Sequence, residues 1–285
     1  MAAKQTSSLQ RLRLRGLSVK KDHSARDWNV LRFYTMTNET AKRGHFGVRK
    51  AWLVHTYTAF GAVLAFAGAW GVVHGSDRLA LGAMLAATIV DATDGVLARR
   101  ARVKDVLPQI DGARIDDIVD YITFVFLPLM LLDASGGLSL FTVFPVAAIV
   151  LLSSMYGFVA PDAKTTDQFF TGFPSYWNIV VLYLLLFGTS PAVNAVVLLV
   201  LSGLVFVRIG YVYPSRTPTL RPLTLVLGTA WGVMIGAIIV LWPSPPRWLA
   251  IASLGFPVYY FVLSLVLHFR RGPSRVAGPE SPAYR

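Results

Sequence analysis

The sequence predicts an all-α integral membrane protein with about eight transmembrane helices. Three observations predict it. Apolar residues make up 54% of the 285 positions and charged residues only 15%, where a soluble domain carries about a quarter charged. Apolar stretches recur near the roughly 20-residue length that carries a helix across hydrocarbon. Lysine and arginine gather on one side of those stretches.

Residues 1–50 read as a basic cytoplasmic extension. They hold 12 of the 27 lysines and arginines and no apolar core of a signal peptide. Leu9, Leu12, Leu14 and Leu17 stand among Arg11, Arg13 and Arg15, a pattern suited to anionic lipid. Spans are expected at roughly 51–73, 79–98, 112–132, 138–160, 175–188, 192–208, 223–242 and 248–268. The fifth and sixth are short and part at the Gly188–Pro191 turn. Pro128, Pro145 and Pro257 are expected to kink their spans. Residues 51–269 then form the transmembrane domain and 270–285 a basic tail. With the N-terminus inside, 25 of the 27 basic residues fall in inside segments, and Arg78 and Arg247 fall outside. That asymmetry puts both termini in the cytoplasm.

Composition narrows the function. Cysteine is absent, which excludes disulfides, a thiol nucleophile and cysteine-ligated metal. The net charge of +12 follows from membrane topology and does not call for a nucleic-acid partner.

The acids carry the chemistry. Seven of the 15 lie between residues 91 and 120: Asp91, Asp94, Asp105, Asp111, Asp116, Asp117 and Asp120. Carboxylates at a membrane span are costly and mark function. Asp91, Asp94, Gly95 and Ala98 share one stripe of the second span, and Gly112, Asp116 and Asp120 share one of the third. The connecting loop is short, so the two spans are antiparallel and the stripes can face each other. Asp117 lies about 100° off its stripe and reads as a supporting group.

Clustered carboxylates repel unless cations share the site. All-oxygen ligation favours Mg²⁺, Mn²⁺ or Ca²⁺. Gly95, Ala98 and Gly112 leave room for a ligand against the backbone, and Arg99 offers a phosphate partner. Together these features suit a diphosphate-bearing substrate. A structural polar cluster or an ion pathway is the alternative.

The string Asp91-x2-Asp94-Gly95-x2-Ala98-Arg99, followed by Gly112-x3-Asp116-x3-Asp120, resembles the signature of the CDP-alcohol phosphatidyltransferases. Twelve residues separate Arg99 from Gly112, more than in the commonest form of that signature. The longer insert resembles the bacterial phosphatidylcholine synthase branch. The stretches Ala51–Ala59, Lys164–Asn178 and Tyr213–Thr217 point the same way, and the resemblance runs from about residue 45 to 268. It implies a helical bundle with six core and two additional spans, and a homodimer. It implies that a free alcohol, here choline, attacks CDP-diacylglycerol, so that CMP leaves and phosphatidylcholine forms in the bilayer. By matching position, Asp91, Asp94 and Asp116 would hold one or two Mn²⁺ or Mg²⁺ ions. Asp120 would contact metal and act as catalytic base. Gly95, Ala98, Arg99 and Gly112 would receive CDP-diacylglycerol. The setting it implies is a bacterial inner membrane.

A quaternary ammonium binds best against aromatic faces. Tyr176, Trp177 and Tyr213 are the expected choline cage; an interfacial aromatic belt is the alternative. Arg216, with Arg208 and Arg221, is expected to bind the lipid phosphate or the diphosphate of CDP-diacylglycerol, although positive-inside loading also explains all three. Lys164 and Asp167 either line the entrance or are solvated. His55 reads as a helix-packing histidine with its hydrogen bonds satisfied. Three other readings compete. A related transferase using serine, inositol phosphate or glycerol phosphate would need extra basic residues in its pocket. A polyprenyl-diphosphate transferase normally carries its two Asp motifs far apart, and a cation transporter distributes acids along a pathway.

Overall fold

The computed structural model describes residues 25–161, 163, 165, 169–214 and 217–270, with side chains from Gly47 onward. The chain divides into the units Met1–Arg49 and Lys50–Arg285. Of the first, the backbone from Ala25 on is helical. The expectations for Leu9–Leu17, Lys164, Asp167, Arg216 and the tail after Arg270 lie outside the described residues.

Helix α1 (Ala25–Val73) ends at a turn where Gly75 takes a positive φ. Ser76 then caps α2 (Asp77–Ala101), its hydroxyl accepting from the Leu79 amide. Arg102, in the left-handed region, closes α2 and opens the one-turn α3 (Val103–Val106). Asp111 caps α4 (Gly112–Asp120), which runs through a π-helical turn (Tyr121–Phe126) into α5 (Leu127–Ala134). There follow α6 (Val143–Val159), β1 (Phe169–Thr171), α7 (Trp177–Leu186), α8 (Pro191–Val205), β2 (Gly210–Val212), α9 (Arg221–Val240), α10 (Arg247–Ser253) and α11 (Gly255–Arg270).

This is a membrane protein, and among the described residues four helices are long and apolar enough to cross: Gly47–Val73, Asp77–Ala101, Arg221–Val240 and Arg247–Arg270. The other four expected spans are shorter or more polar. Helices α6, α7 and α8 have 17, 10 and 15 residues. At 1.5 Å per residue they reach only about 26, 15 and 22 Å, under the roughly 30 Å of a hydrocarbon core. A positive φ at Gly188 stops α7, and Ser190 caps α8 just beyond. The helical run from Gly112 to Ala134 is unbroken, but it carries four aspartates and Arg114.

The expectation of an all-α chain is corrected at one place. Strands β1 and β2 pair antiparallel, Phe170 opposite Tyr211. Segments of three residues are too short to show a period of two. Helix α11 anchors this sheet: Ser264 Oγ accepts from the Val212 amide at 3.0 Å, and His268 Nδ1 from that of Gly210 at 3.1 Å.

Two apolar clusters hold the helices together. Leu81, Met84, Leu131, Leu182, Trp231 and Ile235 join α2, α5, α7 and α9. Val125, Leu129, Val150, Trp177, Val181 and Leu198 join the π-helical turn and α5 to α6, α7 and α8. Large apolar side chains also face outward, Phe66, Phe144, Leu152, Val233 and Phe269 among them. Such surface is costly in water and suits lipid. The packing that matters for function is at the opposite face of α1. There Gly61 lies against Val119 of α4, and Gly68 against Ala83 of α2 and Leu127 of α5. The first helix is thus pressed onto both acid-bearing helices.

Candidate active site

Asp91 lies on α2, and Asp116 and Asp120 one turn apart on α4. Each is half-buried, and one oxygen from each falls within 4.8 Å of the others. Three carboxylates this close repel strongly when ionised. A hard divalent cation with oxygen ligands fits the donor set. Asp117 is not part of the group, as its angular offset on the helix requires.

Asp94 departs from the expected quartet. It is 7% exposed, and its Oδ2 accepts a hydrogen bond of 2.8 Å from Thr58 Oγ1 on α1. Sequence reasoning missed Thr58 because the contact spans 36 residues. The available signal was its place three residues after His55, on one helix face.

The small residues of the two stripes do different work. A Cβ on Gly95 would stand 3.3 Å from Arg99 Nη1. The exposed Arg99 therefore folds back along α2, over Gly95 and toward the carboxylates. Ala98 is half-buried. Gly112 receives His55: a Cβ there would stand 2.8 Å from the ring Cε1 and 3.1 Å from Nδ1. His55 is 5% exposed, and its Nε2 has no hydrogen-bond partner among the described residues. Packing is therefore as expected for His55, but the satisfied hydrogen bonding is not.

Around this end lies an aromatic group. Asn178 of α7 donates to Thr88 Oγ1 of α2 at 3.0 Å, which draws the start of α7 beside the Asp91 end of α2. Tyr176, just before α7, lies within electrostatic reach of Tyr260, Asp91 and Tyr213. Its ring stands edge-on to Tyr260 at 6.2 Å. Tyr213 stacks on Phe170 at 4.6 Å. Tyr211 is 2% exposed, and its hydroxyl has no partner among the described residues. Burial pushes that phenol above its ordinary range.

Trp177 does not join this group. It is fully buried in the second apolar cluster, its Nε1 donates to Ser154 Oγ at 2.7 Å, and Phe173 stands edge-on at 5.0 Å. Its surfaces are already occupied, which makes it a packing residue where a cage residue was expected. Tyr260, on the last helix, was missed because nothing in its local pattern separates it from a lipid-facing tyrosine.

No family model matches the chain. Curated relatives do, and three named phosphatidylcholine synthase illustrate them. The Legionella pneumophila protein is 39% identical over 221 residues, 75% of this chain and 87% of the relative. That of Legionella bozemanae is 40% identical over 200 residues, 67% and 90% of the two chains. That of Agrobacterium fabrum is 34% identical over 231 residues, 80% and 95%. With likeness of this extent over nearly whole relatives, the chain belongs to the phosphatidylcholine synthase family of phosphatidyltransferase enzymes.

Proposed function

We propose that this enzyme transfers the phosphatidyl group of CDP-diacylglycerol to choline, forming phosphatidylcholine and CMP. The observation that carries the reading is the convergence of Asp91, Asp116 and Asp120 from two helices. The same reading takes 51–269 as the catalytic domain between the extension 1–50 and the tail 270–285. It counts eight spans, the short helices included, and sets both termini and the site at the cytoplasmic face of a bacterial inner membrane, as the lysine and arginine asymmetry supports. A homodimer belongs to it through the family resemblance.

In this mechanism Asp91, Asp94, Asp116 and Asp120 would hold one or two Mn²⁺ or Mg²⁺ ions, which supply charge neutralisation at the diphosphate. Arg99 binds a diphosphate oxygen across Gly95, where no side chain intervenes. Ala98 and Arg216 would complete the nucleotide and lipid contacts, whereas the space expected at Gly112 is filled by the His55 ring. Asp120 accepts the proton of the choline hydroxyl. The choline oxygen bonds to the β-phosphorus, the bond from that phosphorus to the bridging oxygen breaks, and CMP leaves with the electron pair. Tyr176 and Tyr213, joined by Tyr260, offer aromatic faces to the quaternary ammonium. The hydroxyl end of choline then points toward the acids.

The test is turnover by the purified protein of CDP-diacylglycerol with labelled choline, under EDTA, Mg²⁺ or Mn²⁺, with serine and inositol phosphate in parallel. Metal-dependent phosphatidylcholine and CMP are expected. Product with another alcohol alone overturns the acceptor, and silence with every acceptor in folded protein overturns the reaction.

A further inference from the structure

The first helix carries none of the clustered acids, yet it holds Asp94, their neighbour on α2. Thr58 is 7% exposed and lies on the face of α1 that meets α2 and α4. Its hydroxyl has two acceptors within reach: Val54 O at 3.4 Å and Asp94 Oδ2 at 2.8 Å. A hydroxyl has one proton. The shorter contact, to a charge-bearing oxygen, takes it. Asp94 is equally buried, so water competes little for that oxygen. Asp94 follows Asp91 by three residues on the same helix and so projects from the same side.

We propose that Thr58 is a positioning residue of the transfer site. By occupying Asp94 Oδ2 it sets the direction in which that carboxylate meets a divalent cation shared with Asp91, Asp116 and Asp120. This rests on the metal-dependent reading above. The neighbouring contact, His55 on Gly112, anchors the same helix to α4. The first span is thereby part of the site through both acid-bearing helices. Groups that orient metal ligands typically cost about 10–100-fold in affinity or activity when removed.

Three full-length proteins in detergent test this: wild type, Thr58→Val and Thr58→Ser. Valine keeps the shape and removes the hydroxyl, and serine keeps the hydroxyl. Mn²⁺ binding is followed by the electron paramagnetic resonance of the free ion, and phosphatidylcholine formation is followed against Mn²⁺ concentration. The expected result is a half-saturating Mn²⁺ raised about 10–100-fold in Thr58→Val by both readouts. The choline KM stays near that of wild type, and Thr58→Ser behaves as wild type. A wild-type binding curve for Thr58→Val overturns the proposal, and so do equal shifts for valine and serine, which indicate packing. If Thr58→Val loses its monodisperse peak, Thr58→Ala takes its place in the same comparison. Wild-type protein that neither binds Mn²⁺ nor makes product removes the underlying reading and this proposal with it. Active wild type beside an unshifted valine variant removes this proposal alone.

Discussion

His55 stands on the backbone of Gly112, its Cε1 2.8 Å from where a Cβ would be. That contact spans the first helix and the start of the helix bearing Asp116 and Asp120. Real carbon atoms do not approach so closely, so Gly112→Ala forces either the buried ring or α4 to move. The ring is hemmed in, and a displacement of α4 near 1 Å costs on the order of 100-fold in a positioned reaction. Gly112→Ala is expected to lose about that much kcat. Adding His55→Ala, which clears the space, is expected to restore a large part of it. A double variant no better than the single one would locate the damage in the α4 backbone itself.

Trp177 and Tyr176 are adjacent in sequence, and the proposed mechanism gives them opposite roles. Trp177→Phe keeps a ring in the apolar cluster and leaves the buried Ser154 hydroxyl without its donor. The expected cost is about 1–3 kcal/mol of stability, seen as a lower thermal midpoint in detergent, with the choline KM unchanged. Tyr176→Ala is expected to raise the choline KM about tenfold or more while the CDP-diacylglycerol KM moves little. Equal changes in both constants for Tyr176→Ala would make it a packing residue too.

This pair also shows what the sequence can and cannot specify. Helical spacing brings Asp116 and Asp120 onto one face whatever else the chain does, and a short loop brings Asp91 opposite. Those three positions are therefore legible locally. The turn from Tyr176 to Trp177 passes into α7, and which of two neighbouring aromatics enters the core is decided by α6 and α8, far away in sequence. The hydrogen bond that Asp94 accepts from Thr58 is hidden for the same reason, since the two stand 36 residues apart. Span lengths blur likewise. The fifth span is legible as short, ending at the Gly188–Pro191 turn, but the helix within it is shorter still, the 10 residues Trp177–Leu186.

Gly172 tests the small sheet. It sits just after β1 at φ +77°, and a Cβ there would lie 2.1 Å from Val205 O, a backbone atom. Its amide donates to Ile209 O at 2.9 Å, so the segment cannot easily back away. Gly172→Ala combines a strained backbone with a clash that no rotamer relieves. The expected cost is roughly 3 kcal/mol or more, read as loss of the folded peak or a large fall in thermal midpoint. Near-wild-type stability would mean that β1 does not sit against the end of α8.

Asp120 carries the sharpest division of labour. Asparagine has the same shape and keeps an oxygen, but it cannot take a proton from an alcohol at neutral pH. If Asp120 is the base, Asp120→Asn is expected to lower kcat by roughly 10²–10⁴-fold. Both KM values should change far less, because the substrates still find their contacts. Asp91→Asn removes a charge from the same group but no base. It is expected to raise the Mn²⁺ requirement and to recover rate at high Mn²⁺, which Asp120→Asn should not do. CMP release measured across a Mn²⁺ series separates the two. Full recovery of Asp120→Asn at high metal would make Asp120 a ligand only, and the proton of choline would then pass to another group.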